Sequence, residues 1–141
     1  MLGSFGISAR IDRWPDGDID VVADHIVLYK DKLRPIIHHG DQVYMTQPPP
    51  PDGNGDWAAV WYLSPASSAG VLFAFRLAGT ASERVFRLPG LLSDSQYRVS
   101  YMYGETLTMS GTELSKGLVV KLPEMFRSAL CLIETVTDGH V

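Results

Sequence analysis

The spacing of apolar residues changes period once in this chain, between Leu33 and Gly40, and that change limits what it can fold into. From Ile19 the apolar positions fall at Val22, Ile26, Tyr29 and Leu33, alternating steps of three and four that line one face of a helix. After Gly40 the periodic stretches alternate with the two-residue repeat of a strand. The first pattern predicts a helix over about Asp18 to Arg34. Asp16, Asp18 and Asp20 crowd its start, where the helix dipole favours carboxylates, and Lys30, Lys32 and Arg34 crowd its end. Pro35 is expected to stop it, since proline lacks an N–H and its ring crowds the preceding turn. Ahead of the helix, Leu2 to Ile7 is too brief to fold alone and reads as one buried strand.

Eight strands are expected beyond Gly40: Asp41 to Gln47, Trp57 to Leu63, Val71 to Leu77, Arg84 to Leu88, Gln96 to Met102, Leu107 to Met109, Leu118 to Leu122 and Ala129 to Glu134. Turn residues separate them, including a polyproline-like loop at Pro48 to Pro51 that cannot donate backbone hydrogen bonds. Trp57 to Leu63 and Val71 to Leu77 form a hairpin in which Val71, Phe73, Phe75 and Leu77 share one face. Ser110 and Glu113 have capping-box spacing, so a short helical turn begins there, and Gly117 ends it by tolerating positive φ. Many short strands with a turn about every ten residues predict a mainly β fold, two antiparallel sheets stacked as a sandwich.

At 141 residues with 45% hydrophobic content the chain suits a single domain with a real core. No apolar run approaches the roughly 20 residues a spanning helix needs, so no membrane role is expected. Met1 to Arg10 has no secretory pattern, which makes the cytoplasm the expected location. A net charge of −4 with scattered basic residues argues against a nucleic-acid partner. There is no dinucleotide or phosphate-loop pattern and no internal repeat. The single cysteine, Cys131, lies in an apolar stretch and reads as a buried thiol.

Three groups of residues are candidates for chemistry. The aspartates at 16, 18 and 20 could bind a cation or form a glycosidase acid pair, but capping and dipole neutralisation account for them. His38 and His39 read as linker surface, since no acid or cysteine stands at ligand spacing, and His25 as a half-buried packing residue. No metal and no cofactor is therefore expected. Trp57 and Trp61, at i and i+4 of one strand, project to one side about 13 Å apart and could stack on two sugar rings. The competing reading, which the neighbouring Ala59 favours, places Trp57, Ala59, Trp61 and Leu63 on the inner face of a sheet.

Several segments in order carry a resemblance. They are Gly3 to Ile7, the helix ending in Tyr29, Lys30, Arg34 and Pro35, the Gly40-Asp41-x-x-Tyr44 entry, the hairpin Trp57-Ala58-Ala59-Val60 through Ser64-Pro65 to Phe73-Ala74-Phe75-Arg76, and Ser110-Gly111-x-Glu113-Leu114-x-x-Gly117-Leu118. Together they resemble the C-terminal end of glycoside hydrolase family 36 α-galactosidases (melibiases), and the likeness lies in order and spacing over nearly the whole chain. It implies that residues 1–37 are the last strand and helix of a (β/α)8 catalytic barrel and that 40–141 are the β-sandwich that follows it. The family's nucleophile stands in a Lys-x-Asp context that occurs nowhere here, so the resemblance carries over no catalytic residue. Two departures stand out. Lys30 and Arg34 are separated by one residue more than the family pattern, which should rotate the helix end, and Trp61 replaces a polar residue.

The expected function is thus a non-catalytic part of an α-galactosidase that packs on and stabilises the barrel. Its partner is the remainder of that chain or a second copy. The alternative is a free-standing module binding galactosides through Trp57 and Trp61. The chain is expected to be inactive by itself.

Overall fold

The computed structural model describes residues 10–47 and 55–136. The expected strand at Leu2 to Ile7, the loop Pro48 to Pro51 and His140 lie outside them. The strands form as two antiparallel sheets, mainly where periodicity predicts them. Among the described residues six strands make the larger sheet: β1 (Asp41–Tyr44), β2 (Trp57–Leu63), β3 (Ala69–Arg76), β5 (Gln96–Tyr101), β6 (Thr106–Ser110) and β8 (Arg127–Thr135). They run in the order β1-β2-β3-β8-β5-β6. The smaller sheet pairs β4 (Glu83–Phe86) with β7 (Leu118–Lys121).

β3 shows why these residues form these layers. Its run of apolar residues is nearly continuous because both faces are covered. Leu72 and Ala74 point to the space between the sheets and share a cluster with Trp61, Leu88, Leu118 and Ile133. Val71 and Phe73 point outward and meet Tyr29, Leu33 and Ile36 of the helix. β8 inserts between β3 and β5, so the last strand supplies the centre of the sheet and divides the same way, Cys131 inward and Leu132 outward.

Arg76 ties the sheets at one end. Its buried guanidinium donates from Nη1 to the carbonyls of Leu122 (2.8 Å) and Pro123 (2.7 Å), and from Nη2 to that of Gly79 (2.8 Å). These carbonyl dipoles offset a charge whose burial would otherwise be costly. The capping box forms as expected: the Glu113 N–H donates to Ser110 Oγ at 3.2 Å and the Ser110 N–H to Glu113 Oε2 at 2.7 Å, starting α3 (Gly111–Lys116). Gly117, at φ +151°, ends it.

Pro35 does not stop the helix. α1 (Asp16–Leu28) passes into a π turn at Tyr29–Leu33 and then into α2 (Arg34–His39). The N–H of Arg34 reaches back five residues to the Tyr29 carbonyl, and Pro35 follows in the first turn of α2, where a missing N–H costs little. The π turn takes in the residues between Lys30 and Arg34, and Leu33 and Ile36 both reach the sheet. His38 and His39 consequently lie on α2, exposed, rather than on a linker. The chain turns into β1 at Gly40, where a Cβ would lie 2.4 Å from the carbonyl oxygens of both Ile36 and Leu63.

Candidate functional site

Trp57 and Trp61 sit on the inner face of β2, at 4% and 0% exposure, in the cluster between the sheets. Each indole N–H is used inside the protein: Trp57 Nε1 donates to the Ala81 carbonyl at 3.3 Å and Trp61 Nε1 to that of Pro89 at 3.1 Å. The Trp61 ring lies over Gly70, where a Cβ would come within 2.1 Å of it. Trp57 meets Phe86 edge-on at 6.1 Å between centroids. Sugar stacking needs an open aromatic face, and this packing closes both.

The accessible aromatic surface lies on the opposite side of the sheet. A groove of about 460 Å³ runs between α1 and the outer face of β3 and β8, with Phe73, Phe75 and Leu130 as its floor and His25, Met102 and Tyr103 as its walls. His25 Nδ1 lies 2.6 Å from the Val21 carbonyl, a contact that requires the proton on that nitrogen, so in the neutral imidazole Nε2 accepts from the Tyr103 hydroxyl at 2.9 Å. The half-buried His25 thus joins the helix to the β5–β6 turn. Tyr103 is 81% exposed at φ +64°, and Phe126, at the start of β8, is 82% exposed at φ +59°. Left-handed backbone at bulky residues costs roughly 1 kcal/mol or more and persists only where neighbouring structure enforces it. The Phe126 N–H donates to the backbone carbonyl of Arg76 at 2.8 Å, which ties this turn to the end of β3. The step from Tyr103 to Gly104 hints at a turn, but neither exposed aromatic stands out in the sequence.

A glycosidase centre needs two carboxyl groups flanking the bond that breaks. The groove's lining holds none. Asp16, Asp18 and Asp20 are exposed on the first turns of α1, and among the described residues no cluster of three or more His, Cys, Asp or Glu could hold a metal ion. A second cleft, of about 620 Å³, opens between the sheets beside Leu107, Met109, Val119 and Lys121. Its Tyr101 donates to the Val119 carbonyl at 3.0 Å. Burial first, then the neighbouring Cys131 and Glu105, push its phenol up to about 12. It stays protonated at neutral pH and cannot serve as a base. Burial also pushes the Cys131 thiol up to about 12, which removes its nucleophilic thiolate. No helix among the described residues is long and apolar enough to cross a membrane.

No family model matches the sequence, and no curated protein does. Solved structures do match the fold. It is a fold found within α-galactosidases. The family 36 enzyme AgaA from Geobacillus stearothermophilus superposes with a TM-score of 0.73 at 22% identity, over 89% of this chain and 17% of its own. The α-galactosidase from Lactobacillus brevis does so with a TM-score of 0.73 at 19% identity, over 94% and 18%. The galactosidase domain of the α-galactosidase–sucrose kinase AgaSK gives 0.69 at 18% identity, over 89% and 17%. The chain therefore spans about one sixth of the structures it matches. The part from Gly40 onward is less than three quarters of the chain, so a match over 89% takes in part of the helix as well.

Proposed function

We propose that this chain is the C-terminal, non-catalytic part of a family 36-type α-galactosidase, in which residues 1–37 are the last strand and helix of the catalytic barrel and 40–141 the β-sandwich that packs on it. The reading is supported above all by the combined match of helix and sandwich to a small portion of several α-galactosidases. The state of the helix adds to it. α1 has no buried residue along its 13 positions, whereas the π turn and α2 bury Tyr29, Leu33 and Ile36. An amphipathic helix half covered by its own chain needs another surface for the rest. In the parent enzyme the substrates are terminal α-galactosides such as the raffinose bound by an AgaA variant, and the reacting carboxylates come from preceding chain.

Replacing the matching segment of AgaA by this chain tests the reading. The chimera is expected to be soluble and to hydrolyse a chromogenic α-galactoside, while AgaA truncated before that segment and the 141-residue chain alone turn over none. A chimera no better than truncated AgaA, or turnover by the isolated chain, removes the reading.

A further inference from the structure

We infer that the groove beside α1, with the exposed Tyr103 and Phe126 at its rim, is the surface on which the preceding chain of the proposed α-galactosidase docks. This rests on the reading above and fixes where on the sandwich the contact lies. The apolar stripe of the helix runs through Ile19, Val22, Ile26, Tyr29 and Leu33, and only Tyr29 and Leu33 of these are buried. His25 meets the β5–β6 turn through the Tyr103 hydroxyl. From that contact α1 continues back to Asp16, about 14 Å, without burying a residue. The uncovered part of the stripe and the groove therefore adjoin at His25. Tyr103 lines the groove, and Phe126 stands two residues before Ser128, which lines it too. Exposed aromatic rings beside an apolar groove mark a surface that another surface covers.

Charge and continuity select the occupant. The groove's lining holds no carboxylate, ammonium or guanidinium group. Asp16, Asp20 and Asp24 follow one another at i, i+4 and i+8, on the side of α1 opposite Val22 and Tyr29, so a cover laid on the stripe leaves them in water. Asp18 is on the stripe's side but in the first turn, where the helix dipole offsets its charge. Beside Phe126, Glu124 and Arg127 pair with each other at 2.7 Å, and Glu105 opens onto the other cleft. The surface thus fits an apolar, uncharged cover. The α-galactosidases that superpose do so on helix and sandwich together, over about one sixth of their own length. In the proposed enzyme the preceding chain is joined to α1 at its uncovered first half, which holds it beside the groove at high effective concentration. A second copy has no such tether.

Substitutions in the AgaA chimera described above test it. Tyr103→Asp with Phe126→Asp introduces a residue type that left-handed backbone tolerates. Together they should make the chimera lose α-galactoside hydrolysis about tenfold faster on heating. Tyr44→Asp, which replaces an exposed aromatic on β1, should not. In the 141-residue chain alone the pair should leave the circular dichroism unchanged and shift the urea midpoint no more than Tyr44→Asp does, because its own fold buries neither ring. The amides of residues 102–104 and 126 should exchange more slowly in the unsubstituted chimera than in the chain alone. An active chimera indifferent to the pair, or a pair that unfolds the chain alone, overturns the inference and leaves the α-galactosidase reading in place. An inactive unsubstituted chimera removes both. Dimerisation of the chain alone that the pair abolishes would give the surface to a second copy and overturn the inference as well.

Discussion

The six-stranded sheet is covered on its inner face by the two strands β4 and β7 with α3, and on its outer face by a helix whose first half does not reach it. Inward, Trp57, Ala59, Trp61 and Leu63 of β2 close against Phe86, Leu114 and Val120, with both indole N–H groups bonded. Outward, the apolar contact with Tyr62, Val71 and Phe73 is made by Tyr29, Leu33 and Ile36, and beyond Tyr29 it gives way to the groove. Helical periodicity runs evenly from Ile19 to Leu33, yet burial along it does not. A periodic apolar face shows that a helix needs a covering surface; it does not show that the same chain supplies all of it.

If the inner layer is the closed core, Trp61→Ala should have the largest effect. It leaves a large cavity over Gly70 and an unpaired Pro89 carbonyl, at a cost of about 4 kcal/mol read from the urea midpoint, much of a small domain's total stability. The buried Cys131 thiol should then react with a thiol reagent far faster than in the parent protein. A cost under about 1 kcal/mol would erase the contrast between the layers.

Leu33→Ala should cost about 3 kcal/mol, confined to the outer layer. Hydrogen exchange should show the amides of residues 16–39 losing protection while Cys131 stays unreactive. Exposure of the thiol by this variant would mean that the two layers unfold as one unit.

The capping box sharpens the comparison further, because it belongs to the inner layer but sits at its surface. Ser110→Ala should cost about 1 kcal/mol. Hydrogen bonds from the Ser110 backbone, then its side chain, hold the Glu113 carboxyl below its ordinary value of 4.5. A depressed folded-state value gives stability that is complete above about pH 4.5 and is lost as pH falls through the folded value. Glu113→Gln should accordingly flatten the acid limb of a stability–pH curve, and an unchanged limb would remove the carboxylate from the account.

Lys32→Ala should do least. Its 2.7 Å pair with Glu134 ties the π turn to β8, but both side chains are partly exposed. A loss under about 1 kcal/mol, vanishing near 1 M salt, is expected from thermal melts at two ionic strengths.

Local rules account for much of the fold. Strand positions, the capping box at Ser110 and the turn at Gly117 depend on neighbours within a few residues, and they were legible for that reason. The reading of Pro35 as a stop failed because it assumed an unbroken α-helix, whereas a π turn ending two residues earlier leaves the proline in a first turn. The two sites were legible to different degrees. Alanine between the tryptophans signalled core, and both indoles are buried. The groove was not visible, since His25 and Tyr103 are 78 positions apart and nothing in either local pattern refers to the other.

By itself, then, the sequence determined a helix followed by alternating strands, because hydrophobic period and turn chemistry act through adjacent residues. Only the tertiary structure decided that β8 lies between β3 and β5, that the indoles face inward, and that the helix is covered along its second half alone. Those outcomes depend on which distant surfaces meet, and a one-residue shift in register would turn every side chain of a strand to its other face.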